Sequence, residues 1–253
     1  MPVPKLVIAI PAYNAAETLV GVFDRIPQEI AQRTAHYVVV NDGSADATAD
    51  VARRLQKRFS NLELIEHTEN RGYGGAAKTG LARSLELGAD LVVWLHADGQ
   101  YAPEAILELL APLETNEADI VQGSRLKGRG ALQGGMPLYK FVANKVLTAM
   151  ENRVFGLRLA EYHSGYMLYC RKALKAIPFR QFTERAFVFD QEMIVSAKIL
   201  GLRVIDLPVP TRYAGEKSHL KPISYGIDVL KLMARYRRGD YHRMVGRGHP
   251  FGL

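Results

Sequence analysis

A single cysteine, Cys170, has nothing to pair with inside the chain, so a disulfide framework is excluded and a reducing compartment is expected. No apolar run approaches the roughly 18 residues that a membrane span needs. The opening MPVPKLVIAIPAYN carries only a short apolar stretch, ended by Pro11 and Asn14, and does not read as a signal peptide. Repeats, low-complexity stretches and a clear interdomain linker are also missing. Tryptophan is nearly absent: the one example, Trp94, stands inside a core-like run. Apolar residues are plentiful, at 48% of 253 positions, which suits one sizeable domain with a buried core.

The net charge of +7 is unevenly placed. From Arg212 onward nine Lys and Arg face only Glu216, Asp228 and Asp240, so this short segment carries most of the excess. Such asymmetry points to an anionic partner: phospholipid, a phosphorylated substrate or nucleic acid. Nucleic acid is the weakest of the three, because it leaves the polar clusters described next without a purpose.

The first 125 residues alternate. Segments 5–10, 36–41, 61–67, 90–95 and 118–123 read as strands, with helical patterns over 15–31, 45–58, 74–88 and 103–115 between them. This predicts an α/β fold, a mostly parallel sheet with helices on both faces, whose ligands lie beyond the carboxyl ends of the strands. The polar clusters fall at those ends: PAYN, NDGS, NRGYGG and HADGQ. The second half is less regular. GSRLKGRGALQGG (123–135) reads as a loop, 137–155 and 189–201 as helices, and 164–170 and 202–209 as strands. Residues 222–238 predict an amphipathic helix with Ile223, Ile227, Leu230 and Ala234 on its apolar face.

Asn14 followed by Glu17 has the spacing of a capping box, while Tyr13 offers a ring able to stack on a nucleobase. Gly43, Ser44 and Asp46 suit a turn and a helix start, whereas Asp42 has no evident local duty and can accept from the N–H edge of a base. Gly72, Gly74 and Ala77 fit a dinucleotide pattern. That pattern follows the third strand and lacks the later ribose acid, which argues against an oxidoreductase and for a turn presenting Arg71 and Lys78 to phosphates. In HADGQ, Asp98 and Gln100 place two hard oxygen ligands on one side, suited to Mg²⁺ or Mn²⁺ beside a diphosphate, although the same residues make an ordinary turn. Asp190 and Glu192 stand at a helix start, where acids are favoured in any case; one of them is a candidate general base.

In this order PAYNAAETL, NDGSADAT, HADGQYAPE, GSR, HSGY, FDQE and RYAGEKS resemble the family 2 glycosyltransferases, nearest the dolichyl-phosphate mannose synthase-like branch, over residues 5 to 220. The resemblance implies a GT-A type, Rossmann-like nucleotide-binding domain over 1–221; beyond it, 222–253 read from their own pattern as a basic amphipathic helix and tail. It implies inverting transfer of a hexose from GDP-mannose or a UDP-hexose, commonly to a polyprenyl phosphate. By the same resemblance Pro11, Tyr13, Glu17, Asp42, Lys78, Ala97 and Asp98 hold the nucleotide sugar, and Asp98 and Gln100 the metal. Arg125, Lys140, Asn144, Arg212 and Lys217 meet the acceptor or phosphates.

Three departures stand out: His96 replaces the first acid of the family's D-x-D, Lys140 replaces an arginine, and Lys217 and Ser218 come in reversed order. An ionised lipid phosphate needs no base, whereas a hydroxyl or glycan acceptor needs one, for which Asp190 is the candidate. An inactive nucleotide-sugar-binding module is the remaining alternative. A cytoplasmic location is expected, with the basic helix resting peripherally on anionic lipid. Completing the core and pairing two subunits are the other uses open to that helix.

Overall fold

In a computed structural model, residues 3–128, 130–184, 187–210 and 222–248 are described. The chain opens on β1 (Leu6–Ala12), α1 (Leu19–Asp24), α2 (Gln28–Arg33), β2 (Thr34–Asn41), α3 (Thr48–Arg58) and β3 (Leu62–Glu66). It continues through α4 (Tyr73–Glu86), β4 (Leu91–Trp94), α5 (Ile106–Glu114), β5 (Ile120–Ser124), α6 (Gly130–Gln133) and α7 (Leu138–Phe155). The remainder is β6 (Met167–Cys170), α8 (Arg171–Ala176), α9 (Phe189–Ile199), β7 (Val204–Pro208), α10 (Pro222–Arg237) and α11 (Asp240–Gly248).

The seven strands form one sheet in the order β3-β2-β1-β4-β6-β5-β7, and only β6 runs against its neighbours. Alternate side chains of a strand point to opposite faces, so β1 feeds two cores. Leu6, Ile8 and Ile10 pack with α1, α3 and α5, while Val7 and Ala9 pack with α4 and α9. This is the mostly parallel, doubly covered sheet that the alternation predicts.

The predicted helix over 15–31 is two helices. Pro27 has no N–H to continue the first, and it opens the second from the N-cap position. The capping box is also overturned: α1 begins only at Leu19, and Asn14 sits at φ 50° with its Oδ1 accepting from the Ala45 N–H at 3.0 Å. A long-range contact claims the side chain that the local pattern assigned to a cap. Within the Gly- and Arg-rich segment read as a loop, residues 130–133 form the short helix α6.

The C-terminal helix takes the core-completing use among those open to it. α10 buries Val229, Leu232 and Met233 in the core shared with α4 and α9, and Tyr241 and Val245 of α11 are buried as well. Ile223, Ile227 and Leu230, the stripe expected to form its apolar face, point outward. The helix carries apolar residues on two faces. Among the described residues no helix is long and apolar enough to cross a membrane.

Candidate active site

β1, β2 and β4 are adjacent and parallel, so their polar C-terminal extensions share one edge of the sheet. Pro11 pairs with Val40 in register, and the Asp42 N–H donates to the Ala12 carbonyl at 2.9 Å. The loops after β1 and β2 are stitched together. Ser44 Oγ accepts from the Asn14 N–H at 3.0 Å, Thr48 Oγ1 from Ala15 at 2.8 Å, and Asp46 Oδ2 from Ala16 at 3.1 Å. Tyr13 is 41% exposed at the mouth and Glu17 is exposed beside it.

Asp42 proves to have a structural duty that its neighbours in sequence do not reveal. Its buried carboxylate accepts from the Arg71 N–H at 3.0 Å and the Gly72 N–H at 2.9 Å, with His67 Nδ1 2.6 Å away. It thereby ties the end of β2 to the turn that starts α4. Gly72 takes φ 84° in that turn, and Gly74 serves packing: a Cβ there would run into the backbone carbonyl of Thr183. Arg71 and Lys78, the cations expected to meet phosphate, lie 3.4 and 3.2 Å from the Glu184 carboxylate.

Beyond β4, Ala97 is buried, Asp98 exposed and Gln100 partly buried. Gly99 takes φ 73°, and Asp98 Oδ1 accepts from the Gln100 N–H at 2.9 Å, so the turn is closed by its own acid. Arg25 braces it from behind, pairing with Glu104 and donating to the Gly99 carbonyl at 3.3 Å. The chain presents one carboxylate and one amide oxygen here. No cluster of three or more His, Cys, Asp or Glu side chains suited to a metal exists among the described residues.

His96 is half-buried, its ring turned toward a cluster of aromatic side chains. Its ring packs edge-on against Tyr101 at 5.2 Å and beside Tyr73 at 5.3 Å, and its Nε2 is 3.2 Å from the Tyr73 hydroxyl. Burial pushes the imidazole below its ordinary value, favouring the neutral ring. Tyr73 receives the Trp94 Nε1–H at 2.9 Å and donates to Asp190 Oδ2 at 2.6 Å. Asp190 is only 5% exposed, and its Oδ1 is buried without a hydrogen-bond partner. Burial lifts this carboxyl to about 7, the Tyr73 bond pulling part of the way back. Asp190 thus changes charge near neutral pH.

Two residues further along α9, Glu192 is equally buried but well served. It accepts from the Thr183 N–H, Arg235 and Tyr241 at 2.9, 3.0 and 2.9 Å. Arg125 is buried against Glu161 and donates to the His163 carbonyl. Lys140 and Asn144 lie half-buried on α7, whereas Arg212 and Lys217 fall outside the described residues. Sequence reasoning missed Tyr73, His67, Glu161 and Glu184. Their partners are separated from them by tens of residues, and no local spacing marks them.

Residues 7–177 match the family described as "Glycosyl transferase family 2". A UDP-N-acetylglucosamine–dolichyl-phosphate N-acetylglucosaminyltransferase of Methanococcus voltae is 29% identical, over 81% of this chain and 85% of its own. An undecaprenyl-phosphate mannosyltransferase of Micrococcus luteus is 28% identical, over 81% and 82%. The solved glucosyl-3-phosphoglycerate synthase of Mycobacterium tuberculosis, in complex with Mn²⁺, UDP and phosphoglyceric acid, superposes with a TM-score of 0.69. That match covers 93% of this chain and 79% of the other at 19% identity, a likeness of GT-A fold. With the sheet, its polar edge and a family match over most of the chain in place, this protein belongs to glycosyl transferase family 2 and is a glycosyltransferase.

Proposed function

We propose that the enzyme transfers a hexose, with inversion, from a nucleotide-diphosphate sugar to a polyprenyl-phosphate acceptor at the surface of an anionic membrane. The donor lies along the edge formed by Pro11, Tyr13, Glu17, Asp42, Lys78, Ala97 and Asp98, with Tyr13 against the base. The donor set fits a hard divalent ion, because such ions are commonly held by one or two protein oxygens together with substrate phosphates and water. Asp98 and Gln100 would hold Mg²⁺ or Mn²⁺, whose contribution is to neutralise charge on the leaving diphosphate. Lys78 would add positive charge around the same group, as would Arg212 and Lys217, which lie outside the described residues. Arg125, Lys140 and Asn144 lie toward the acceptor. A lipid monophosphate has a second pKa near about 6, so its attacking oxygen is ionised at neutral pH and asks for no base.

One observation carries the acceptor half. Nine of the fourteen large apolar side chains exposed among the described residues lie on α6, α7 and α10. Leu138, Val142, Val146 and Met150 recur every fourth residue along α7, and Ile223, Ile227 and Leu230 extend the patch on α10, which packs beside it. The single acid of α7, Glu151, is buried, so its exposed charges are cationic, and α10 adds Lys231 and Arg237. An apolar stripe rimmed by cations suits an interfacial helix on anionic lipid. The names of the two relatives above point to the same acceptor class.

The test supplies GDP-mannose, UDP-glucose or UDP-GlcNAc with Mn²⁺ or EDTA, and either polyprenyl phosphate or the unphosphorylated alcohol. Transfer to the phosphate alone is expected, with one donor. Equal transfer to the alcohol, or none to either, overturns the reading. Asp190 as base for a hydroxyl acceptor is the second reading, favoured by its titration near neutrality.

A further inference from the structure

The fate of His96 has a geometric answer. A tyrosine hydroxyl carries one proton and two lone pairs. With Asp190 ionised, the Tyr73 proton goes to its Oδ2 at 2.6 Å, and one lone pair takes the Trp94 Nε1–H at 2.9 Å. In that state the second lone pair faces His96 Nε2 at 3.2 Å and is served when the ring proton sits on Nε2. Around this group the backbone has made room: a Cβ on Gly165 would stand 2.5 Å from His96 Cε1 and 3.0 Å from the Tyr73 hydroxyl. Real Cβ atoms do not approach that closely, so the imidazole, the phenol and the glycine form a matched set.

We propose that His96 is a positioning residue and not a metal ligand: it fixes the Tyr73 hydroxyl, which in turn fixes the carboxyl of Asp190. The end of β4 and the first turn of α9 are thereby held as one unit. Oδ1 of Asp190 is left as the end of the string without a partner. Restoring an acid at position 96 would set two carboxylates to compete for one phenolic proton, a like-charge arrangement that buried sites resist. The groups facing Asp190 from packed elements are Tyr73 on α4, Tyr169 on β6 and Tyr225 on α10. Glu192 follows it on its own helix. The proposal uses the glycosyltransferase reading for its activity readout only.

The experiment compares His96→Gln, His96→Ala, His96→Asp and Tyr73→Phe with the parent enzyme. Glutamine can place an N–H near the position of Nε2, and alanine cannot. Loss of one buried hydrogen bond is worth about tenfold in rate, so His96→Ala and Tyr73→Phe should lower kcat by about that factor. KM and the Mn²⁺-dependent affinity for UDP or GDP should stay within about threefold, since neither variant touches a metal ligand. His96→Gln should restore most of the lost kcat, and His96→Asp should not tighten nucleotide binding. A carboxyl-labelled aspartate NMR titration should show Asp190 titrating at higher pH in Tyr73→Phe, because the phenol bond holds it down. Mn²⁺-dependent nucleotide affinity that rises in His96→Asp, or falls about tenfold in His96→Ala, would make His96 a ligand and overturn the proposal. A glutamine no better than alanine, with an unmoved Asp190, would overturn it equally. If the parent binds no nucleotide, the donor reading fails instead, and the titration still decides whether the string exists.

Discussion

Replacing Asp190 by asparagine should stabilise the protein at about pH 8 and leave its stability at about pH 4 nearly unchanged. At acid pH the carboxyl is protonated in both folded and unfolded chains, and the amide is a close copy of the protonated acid. As pH rises past the ordinary value of 3.8, the unfolded chain gives up the proton first, while the buried carboxyl keeps it to about 7. Folding then loses about 1.4 kcal/mol per pH unit across that window, and about 4 kcal/mol in all by pH 8. Asparagine has no proton to lose, and its Oδ1 still accepts from Tyr73. Urea unfolding of both proteins from about pH 4 to pH 8 reads the effect directly, because other titrating groups cancel in the difference. A difference that grows with pH in favour of asparagine is expected. A difference that is flat with pH, or that grows in favour of aspartate, refutes the picture of a desolvated carboxyl with a single donor.

The same substitution should lower turnover by less than about tenfold if the acceptor is a phosphate; a loss of about 10²-fold or more would point to a hydroxyl acceptor and a base. Asp98→Ala should abolish the metal-dependent part of nucleotide binding in calorimetry, and unchanged affinity in Mn²⁺ would refute the metal assignment. Asp42→Ala strands the N–H groups of Arg71 and Gly72 and should cost about 3 kcal/mol by chemical denaturation, whereas a cost below about 1 would show that water replaces the carboxylate. Val142→Asp combined with Val146→Asp should abolish salt-sensitive binding to phosphatidylglycerol vesicles without changing the melting temperature; undiminished binding would remove α7 from the membrane surface.

The first half of the fold was legible because each apolar run of about five residues ends in polar residues at a strand's carboxyl end. Register then brings those ends to one edge. What local pattern could not supply were partners far away in the chain. Asn14 reads as a cap until the Ala45 N–H takes it, and Asp42 reads as idle until the turn before α4 arrives. In α10, Ile223, Ile227 and Leu230 have the same helical spacing as Tyr225, Val229 and Leu232, so periodicity gives two equal stripes and no means of choosing between them. The core chose the second because α7, α9 and α11 supply matching surfaces. α8 and α11 escaped notice for a simpler reason: six and nine residues are little on which to build a period.

Removing the tail is therefore a poor test of membrane binding. It would strip Val229, Leu232, Met233 and Tyr241 from the core, along with the one cation and the phenol that serve the buried carboxylate of Glu192. An uncompensated buried charge commonly costs about 3–5 kcal/mol, enough to unfold a marginal domain before any vesicle is added. Three consecutive residues of α9 explain why the two regions are inseparable. Asp190 reaches Tyr73 on α4, Gln191 bonds the Tyr225 hydroxyl on α10, and Glu192 takes Arg235 and Tyr241. The helix whose outer stripe we assign to lipid is bonded through its inner face to the residues next to Asp190. Substitutions confined to that outer stripe separate docking from folding, and truncation cannot.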